Sequence, residues 1–582
     1  MCGIIGCIKK EGNVSEIIFK GIKRLEYRGY DSCGLVTYDG DFHFKKDIGA
    51  IDEVNKKLNF LDLPGYMGLS HSRWATCGKV TKTNAHPHFN SAKTIFAVHN
   101  GIIENFQELK DNLENKDYRF ITETDTEVIP HYFDDQFKQG NDIHQAIQNF
   151  MKDVRGTFAI LLMHKGKNEI YALKRDSPLV LGLPKDKFIL ASDIYAFSDE
   201  TNKAIFFEDD EYAIIDADKF QFYNHVGKKL NKRPIEFEWT REDETKEHYD
   251  HYMIKEIKEQ PESSLRLINS FDTIQNDKLS KLTGLMKKTR HIVFIACGTS
   301  YHASLVGSIL LSRLGIYCRS IIASEVESFV KFDKDTLCIA ISQSGETMDV
   351  VTQIKKAKKA GAKIASIVNV PFSTIQRLSD VSVEILAGQE VCVAATKTFT
   401  NQVIVMLELA RRLGYKIDLK QVPKKIQQTI AINEAHVKEI SEKLSKKRDI
   451  FVLGKGMSYP MAREIALKFK EIDYIHAEGM MAGELKHGTL ALIDENTPVI
   501  SLIPNNDARM ITATKEVEVR EAWTIIISNV QGKGDFIVPK CDEAEFAIYS
   551  GIIGHLLSYH VGVLLGREID MPRSLAKSVT TL

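Results

Sequence analysis

The sequence contains no uninterrupted apolar stretch of the roughly 18 residues that indicate a membrane-spanning helix. Its most apolar late segment, residues 551–566, is interrupted by histidine, serine and tyrosine. The start lacks the charged-then-apolar form of a signal peptide. We therefore expect no membrane partner and a cytoplasmic location.

Paired cysteine spacing is also absent. The nine cysteines are an odd number and are scattered along the chain, which favours free thiols in a reducing compartment over a disulfide framework. The net charge of −1 and the lack of a basic half give no indication of a nucleic-acid partner. His86 and His88 have no further ligand at a suitable spacing, so we expect no metal site.

The chain begins Met1-Cys2-Gly3-Ile4. Removal of Met1 would give Cys2 both a thiol and a free α-amino group, and such an amine can act as the base for its own nucleophile. The apolar run that follows predicts a buried strand. The alternative is a small cysteine that packs there without a catalytic role.

At 582 residues the chain predicts roughly two to four domains. The first ~240 residues indicate short strands mixed with helices. The expected strands are residues 34–38, 95–99, 158–163 and 188–191. The expected helices are residues 14–25 and 126–138.

Polar clusters lie between these elements. Asn100-Gly101 is typical of a tight hairpin turn, but an Asn amide and a Gly N–H can also form an oxyanion hole. Arg73 and Asp125 fit an ordinary surface pair, or they could hold the carboxylate and amino group of an amino acid.

Residues 240–264 shift sharply toward charge, which indicates a domain boundary running into a helix interrupted by Pro261. Beyond it, apolar strands at 292–296, 336–341 and 364–370 alternate with loops at 297–300 and 342–347 and with helices from 301 and over 348–360. This alternation predicts a parallel sheet with ligands at the carboxyl ends of its strands.

The pattern then recurs. Residues 292–301, IVFIACGTSY, align with residues 450–459, IFVLGKGMSY, and two later strands align at nearly the same offset. Two copies of one domain are therefore expected. The Ser/Thr-rich loop of the first copy is replaced in the second by residues 503–506, IPNN, so the two copies are expected to differ in function.

The Ser342–Thr347 loop, SQSGET, offers hydroxyls, an amide and backbone N–H groups at a helix start. Such a loop indicates a phosphate site, although Ser344 could simply cap the helix. Thr299 and Ser300 repeat this arrangement one strand away. The sequence has no GxxxxGK[ST] element, which argues against nucleoside triphosphate chemistry.

Lys468 and Glu471 are three residues apart and can share a helix face, where an exposed salt bridge is the ordinary outcome. The C-terminal tail carries Lys577. A lysine in a tail is usually solvated, but one packed into a pocket can lose its proton and attack a sugar carbonyl.

Together these residues resemble the glutamine–fructose-6-phosphate aminotransferase (isomerising) family nearly from end to end. The matching segments are residues 2–4, 25–32, 73–76, 99–105, 123–127, 342–347, 476–478, 484–488 and 575–579. The resemblance implies an α/β multidomain chain. An α+β glutaminase domain of the N-terminal-nucleophile type is followed by two sugar-isomerase (SIS) domains, each a parallel sheet flanked by helices.

The resemblance also implies a role for each matching residue. Cys2 attacks glutamine, Asn100 and Gly101 form the oxyanion hole, and Trp74 gates an ammonia path. Glutamine is held by Arg73, Thr76, His86 and Asp125. The sugar phosphate is held by Thr299, Ser300, Ser342, Gln343, Ser344, Thr347, Val393, Ala395 and Ala576. Lys577 forms a Schiff base, Glu471 moves a proton with Lys468, and His487 from a neighbouring subunit assists ring opening.

Three positions depart from the family pattern. Cys77 replaces a usual His, Ala395 a usual Ser, and Leu582 a usual acidic residue. The expected domains are 2–240 (glutaminase), 241–274 (linker), 275–420 and 435–570 (SIS), and 571–582 (tail). The expected substrates are glutamine and fructose 6-phosphate, with no cofactor or metal, in a homodimer or higher homo-oligomer. The alternatives are the same chemistry on another ketose phosphate, or a phosphosugar-binding regulator.

Overall fold

The first strand, Gly3–Lys9, lies in the middle of an antiparallel sheet and places Cys2 at its end. It pairs on one side with Met67–Arg73 and on the other with Lys187–Ala191. Gly3 is required at this point, because a Cβ there would lie 2.7 Å from the Leu25 Cβ and 2.8 Å from the Ser72 Oγ. The computed structural model of the chain describes residues 2–237 and 246–578.

The N-terminal unit, residues 1–241 with 578–582, contains two antiparallel sheets. In spatial order, the first consists of Ile235–Glu236, Lys203–Phe206, Val180–Gly182, Lys187–Ala191, Gly3–Lys9, Met67–Arg73, Ser32–Tyr38 and Phe42–Ile48. The second consists of Lys229–Leu230, Phe220–Asn224, Glu211–Ile215, Ile170–Arg175, Gly156–His164, Ile95–Ile103 and His88–Phe89.

Helices cover the outer faces of these sheets. The apolar faces of both sheets meet in one core that includes Ile4, Leu69 and Phe96, and Val128–Lys138 packs on the second sheet. The helices of this unit are Ser15–Arg24, Ile51–Leu58, Phe106–Glu114, Val128–Lys138 and Ile143–Asp153. All the strands and helices predicted for this half form, with ends that differ by a few residues.

The second unit, residues 242–577, contains two five-stranded parallel sheets. In spatial order they are Cys318–Ile322, His291–Ala296, Thr336–Ser342, Lys363–Val368 and Val381–Glu384, and then His476–Met481, Asp449–Gly454, Pro498–Ile503, Trp523–Ser528 and Phe536–Ile537. Both sheets have the strand order 2-1-3-4-5. The predicted duplication is therefore confirmed at the level of topology.

The helices of the second unit flank these sheets. They are Tyr252–Lys258, Gln260–Ser270, Asn276–Lys288, Gly298–Arg313, Val326–Phe329, Met348–Lys359, Thr374–Leu378, Lys397–Arg412, Val422–Leu444, Ser458–Lys468, Ala508–Glu518 and Glu543–Leu564. Within the expected boundary segment, residues 238–245 lie outside the described residues. Pro261 lies in the first turn of Gln260–Ser270, where proline is well tolerated.

One helix among the described residues, Glu543–Leu564, is long and apolar enough to cross a membrane by length and composition. In this structure 83% of its most apolar window is buried. It packs against Val422–Leu444 and Ser458–Lys468. This packing is that of a core helix.

Candidate functional site

The N-terminal unit brings the predicted nucleophile next to two of its predicted partners. The Cys2 Sγ accepts a hydrogen bond from the Trp74 N–H at 3.2 Å and lies 3.4 Å from the Trp74 carbonyl oxygen. The Asn100 Nδ2 donates to the Cys2 carbonyl oxygen at 2.8 Å. Burial raises the pKa of the Cys2 thiol, and nearby Arg73 opposes this shift. The thiol therefore needs a base before it can attack.

Asn100 and Gly101 do not form a hairpin turn, so that alternative is wrong. Both lie inside the strand Ile95–Ile103, paired with Ala159 and Phe158 of the next strand. Gly101 has φ +132°, and a Cβ there would lie 2.0 Å from the Thr157 carbonyl oxygen. The amide of Asn100 has two hydrogens and donates one to Cys2. The other has no acceptor among the hydrogen bonds of the described residues.

Arg73 and Asp125 are buried and do not form a surface pair, so that alternative is also wrong. Their side chains are 3% and 5% exposed. The Arg73 guanidinium donates to three backbone carbonyls, of Cys77, Gly78 and Lys79. The Asp125 carboxylate accepts from the Ile103 N–H at 2.8 Å. Both charges are thus fixed by backbone close enough to Cys2 to influence its thiol electrostatically.

The loop after Arg73 is shaped by contacts that the sequence did not indicate. The Asp31 carboxylate accepts from the Ala75 N–H at 2.8 Å, and Thr76 is exposed beside it. Cys77 is partly exposed, with its Sγ 3.5 Å from the Glu123 carbonyl oxygen. Burial raises the pKa of the Cys77 thiol, so this side chain is protonated at pH 7.

His86 belongs to a cluster of buried imidazoles. Its ring stacks on that of His71 at 3.7 Å with an 8° interplanar angle, and His88 meets it edge-on at 4.6 Å. Burial lowers the pKa of all three well below the ordinary range, so they are neutral at pH 7. The Nδ1 of His86 has no hydrogen-bond partner among the described residues and is available to a ligand.

In the second unit the predicted phosphate loop folds back on itself. The Ser342 Oγ accepts from the Gly345 N–H at 3.0 Å and lies 2.9 Å from the Thr347 Oγ1. Ser344 accepts from the Glu346 N–H at 3.2 Å, whereas the cap position of the next helix belongs to Thr347. Capping by Ser344 is therefore wrong, and Gln343 lies at the turn between strand and helix.

The second predicted loop is shorter than expected, because the helix Gly298–Arg313 already begins at Gly298. Thr299 and Ser300 consequently lie in its first turn. The Thr299 Oγ1 donates to the Glu464 Oε1 at 3.1 Å and accepts from the Lys468 Nζ at 3.2 Å. Ser300 accepts from the Gln402 Nε2 at 3.0 Å. Thr299 thus joins the first repeat of the second unit to the lysine of the second repeat.

Lys468 is fully buried, so the exposed salt bridge is wrong. Its Nζ lies 2.5 Å from the Glu471 Oε2 and 3.2 Å from the Glu464 Oε1. Burial works against its charge, but Glu464 and Glu471 raise the pKa of Lys468. A π-helical turn, Phe469–Asp473, follows directly and leaves Glu471 with a side chain 20% exposed. Glu471 is thus the member of the cluster that reaches solvent.

Glu464 was not found from the sequence. Its carboxylate is fully buried and also accepts from the His302 Nδ1 at 2.8 Å. Burial opposes its ionisation, but Lys468 and His302 lower the pKa of Glu464 to about 2. Glu464 precedes Lys468 by four residues on the same helix face. This is the spacing of an ordinary Glu–Lys helix pair, so the sequence pattern does not show that the pair is buried.

Lys577 is buried rather than solvated, because its Nζ donates to the Glu390 Oε2 and its side chain is only 3% exposed. The tail reaches this position beside the segment that follows Glu390, where the Val393 N–H donates to the Asp570 carbonyl at 3.0 Å. Ala395 and Ala576 lie half-buried in the two segments. Glu390 is a second residue that the sequence did not reveal.

His487 is exposed on the short helix Ala482–His487. Among the described residues it has no hydrogen bond to Lys468, Glu471 or Lys577. Residues 2–237 and 246–578 contain no group of three or more His, Cys, Asp or Glu arranged to hold a metal ion.

The comparisons with known proteins agree with this arrangement. Residues 71–199 match the glutamine amidotransferase domain, and residues 285–412 and 443–549 match the SIS domain. Two relatives, both named glutamine–fructose-6-phosphate aminotransferase (isomerising), come from Pyrococcus horikoshii and Clostridium tetani. They are 41% and 36% identical, each aligned over 100% of both chains.

Solved structures match the second half of the chain. The C-terminal domain of glucosamine-fructose-6-phosphate aminotransferase from Francisella tularensis is 34% identical with a TM-score of 0.51, covering 56% of this chain and 100% of that one. A glucosamine-6-phosphate deaminase from Thermotoga maritima, 22% identical with a TM-score of 0.50, covers 57% of this chain and all of its own, and shares the fold. The chain belongs to the glutamine–fructose-6-phosphate aminotransferase (isomerising) family.

Proposed function

We propose that the chain transfers ammonia from the side-chain amide of glutamine to fructose 6-phosphate and isomerises the product to glucosamine 6-phosphate, in the cytoplasm, as the first step of hexosamine synthesis. The observation that supports this proposal is that one chain contains both a positioned cysteine at its start and a buried lysine near its end. Cys2 at the N-terminus is fixed against Asn100, and Lys577 near the C-terminus is buried on a carboxylate. A regulator that only binds phosphosugars needs neither arrangement.

In the first half-reaction the Cys2 thiolate attacks the glutamine amide, and the α-amine of the trimmed N-terminus takes the thiol proton. The free hydrogen of the Asn100 amide and the Gly101 N–H receive the developing oxyanion. Arg73, Thr76, His86 and Asp125 hold glutamine, and Trp74 lies on the path of the released ammonia. The raised pKa of Cys2 makes the amine necessary.

In the second half-reaction the phosphate lies on the loop Ser342–Thr347 and on Thr299 and Ser300. The Lys577 amine condenses with C2 of the open-chain sugar, and the carbonyl oxygen leaves as water. Ammonia from the first half-reaction then adds to C2 and displaces the Lys577 amine, so that C2 carries the transferred nitrogen as a new cationic imine that withdraws electrons from C1. Glu471, the exposed end of the Lys468 cluster, moves a proton from C1 to C2. His487 of a second subunit assists ring opening, so we propose a homodimer or higher homo-oligomer. The domain bounds expected from the sequence are part of this proposal.

The test is product analysis with glutamine and a panel of ketose phosphates. The proposal is supported if, with glutamine present, fructose 6-phosphate gives glucosamine 6-phosphate and the other ketose phosphates give no amino sugar. An amino sugar formed from another ketose phosphate would show that the acceptor is a different sugar. Cys2→Ala is the matched control. It should lose glutamine hydrolysis and retain sugar-phosphate binding, because the two sites are built from different parts of the chain.

A further inference from the structure

Glu390 is a buried carboxylate whose hydrogen bonds converge on the Lys577 amine. Its Oε1 accepts from the N–H groups of Thr396 and Thr398 at 2.9 and 3.1 Å. Its Oε2 accepts from the Thr398 Oγ1 at 2.6 Å and from the Lys577 Nζ. The side chain of Glu390 is 0% exposed. The loop therefore fixes this carboxylate before any substrate arrives.

We propose that Glu390 is a catalytic residue, the counter-ion that holds the Lys577 imine in its protonated form. This inference rests on the proposed Schiff base at Lys577 and adds the group that makes it an electron sink. A neutral imine withdraws electrons weakly, whereas the iminium does so strongly. A carboxylate in contact with the nitrogen favours the charged form.

The charge balance of the step supports this role. A ketone and the Lys577 ammonium become an iminium and one water, so the C2=O bond is replaced by C2=N and the total charge is unchanged. During the step Glu390 can take one ammonium proton, which frees the lone pair for attack, and the proton leaves with the carbonyl oxygen in the water. The carboxylate that balanced the ammonium then balances the iminium, and no other reactant is needed.

A second buried carboxyl beside this pair provides a control. The Glu256 Oε1 accepts from the N–H groups of Val391 and Cys392 at 2.5 and 3.2 Å, and its Oε2 has no hydrogen-bond partner among the described residues. Burial, then the charge of Glu390, raises the pKa of Glu256 to about 8. It is therefore a neutral acid below that pH. The charged or titratable groups that face Glu390 are Lys577, Glu256, Lys397 and His555.

The experiment is reductive trapping with cyanoborohydride and fructose 6-phosphate between about pH 6 and pH 8, with the adduct mapped by mass spectrometry. We expect Glu390→Gln to form the adduct roughly tenfold or more slowly than the wild type at the upper end of this pH range, because a fall of one unit in the pKa of the imine corresponds to a tenfold change. Its rate should recover toward the wild-type value as the pH falls and bulk protons replace the counter-ion. Glu256→Gln exchanges one neutral group for another well below pH 8, so it should follow the wild-type profile up to about pH 7.

Glu390→Asp is the control for a folding defect, and the rate of glutamine hydrolysis is measured to check the quality of each preparation. This variant keeps the charge and should keep the wild-type pH profile at a reduced rate. An unshifted profile in Glu390→Gln overturns the counter-ion, as does an equal shift in Glu390→Asp, which would assign the effect to packing. Wild-type protein that forms no adduct at Lys577 would instead refute the Schiff base itself.

Discussion

The Nζ of Lys46 lies 2.6 Å from the carbonyl oxygen of Ala85, one residue before His86 in the chain. The same ammonium donates to the carbonyls of Thr83 and Pro87, each at 3.1 Å. Its three hydrogens are thus satisfied by the loop that carries His86. Among the described residues this buried ammonium has no carboxylate partner in a salt bridge, and it fixes a backbone segment of the proposed glutaminase site.

We predict that Lys46→Met raises the KM for glutamine several-fold with a smaller effect on kcat, because up to three carbonyls lose their donor at about 1–3 kcal/mol each. Steady-state glutaminase kinetics measure this. Lys45→Met is the matched control, since Lys45 is the neighbouring residue on the other face of the same strand and donates to the Asn59 carbonyl at 2.8 Å. Equal KM values in the two variants would contradict the role of Lys46.

The wild-type KM should also depend on pH. Burial lowers the pKa of Lys46 to about 8; the charges of Arg73 and Lys82 act in the same direction and that of Glu127 opposes them. Below that pH the ammonium has three hydrogens, and above it the neutral amine has two, so one carbonyl is released. The KM for glutamine should rise as the pH passes 8 in the wild type and not in Lys46→Met. A flat wild-type profile would refute this prediction.

Gly101→Ala should abolish glutaminase activity and lower stability. The backbone there has φ +132° and an added Cβ would meet the Thr157 carbonyl oxygen at 2.0 Å, so the strand must move together with the Asn100 amide. Gly140→Ala serves as the control, because φ is +87° but nothing lies within 4 Å. We expect it to cost about 1 kcal/mol and to leave activity intact. Comparable losses in both variants, measured by glutamate release and thermal melting, would contradict the prediction.

Local sequence signals were sufficient for the elements and for the duplication. The strand Ile95–Ile103 and the helix Val128–Lys138 follow from apolar periodicity, and the repeated strand–loop–helix segments foretold two sheets of the same order. The Asn100-Gly101 pair shows the limit of such signals. Its dipeptide favours a turn, but pairing with Ala159 and Phe158 places it within a strand, because tertiary context overrides local preference.

The carboxylates that complete the second site could not be predicted, because each acts across a long chain separation. Glu390 and Lys577 are 187 residues apart, and Glu464 contacts Thr299 across 165 residues. Neither acid belongs to a motif with a recognisable mechanism. The fold alone brings Glu390 to Lys577. Glu464 lies four residues before Lys468 on one helix, and only its burial and its contact with Thr299 distinguish it from a surface ion pair.

The stability of the second unit should fall as the pH drops from about 6.5 to 4. His555 is fully buried, and burial lowers its pKa from the ordinary value of 6.5 to about 4. Between these values the unfolded chain binds a proton that the folded chain does not, so stability decreases as the pH falls, by up to about 1.4 kcal/mol per pH unit. His560 shifts in the same direction.

Calorimetric melting of wild-type protein and of His555→Gln at several pH values measures this contribution. Glutamine cannot take up the proton, so the variant should show a shallower loss of melting temperature across the window, with the part due to His560 remaining. If the melting temperatures of the two proteins depend on pH in the same way, the pKa of His555 does not differ between the folded and unfolded states, and the prediction is wrong.

The last prediction concerns Glu464→Gln. Lys468 is fully buried and is balanced by Glu464, also fully buried, and by the partly exposed Glu471. Removing the buried charge leaves the ammonium dependent on one acid that must also act as the proposed base. We expect a loss of about 3–5 kcal/mol of stability, as for breaking a buried ion pair, together with loss of glucosamine 6-phosphate synthesis.

The surface provides the matched control for this change. Glu439 pairs with Lys443 at 3.1 Å, and both side chains are 57% exposed, so Glu439→Gln should cost under about 1 kcal/mol and leave synthesis unchanged. Glutamine hydrolysis should persist in both variants, because Cys2 and Asn100 are in the other unit. Glu464→Gln that melts and synthesises like Glu439→Gln would show that Glu471 alone sustains Lys468, and the assignment of Glu464 to this cluster would then be wrong.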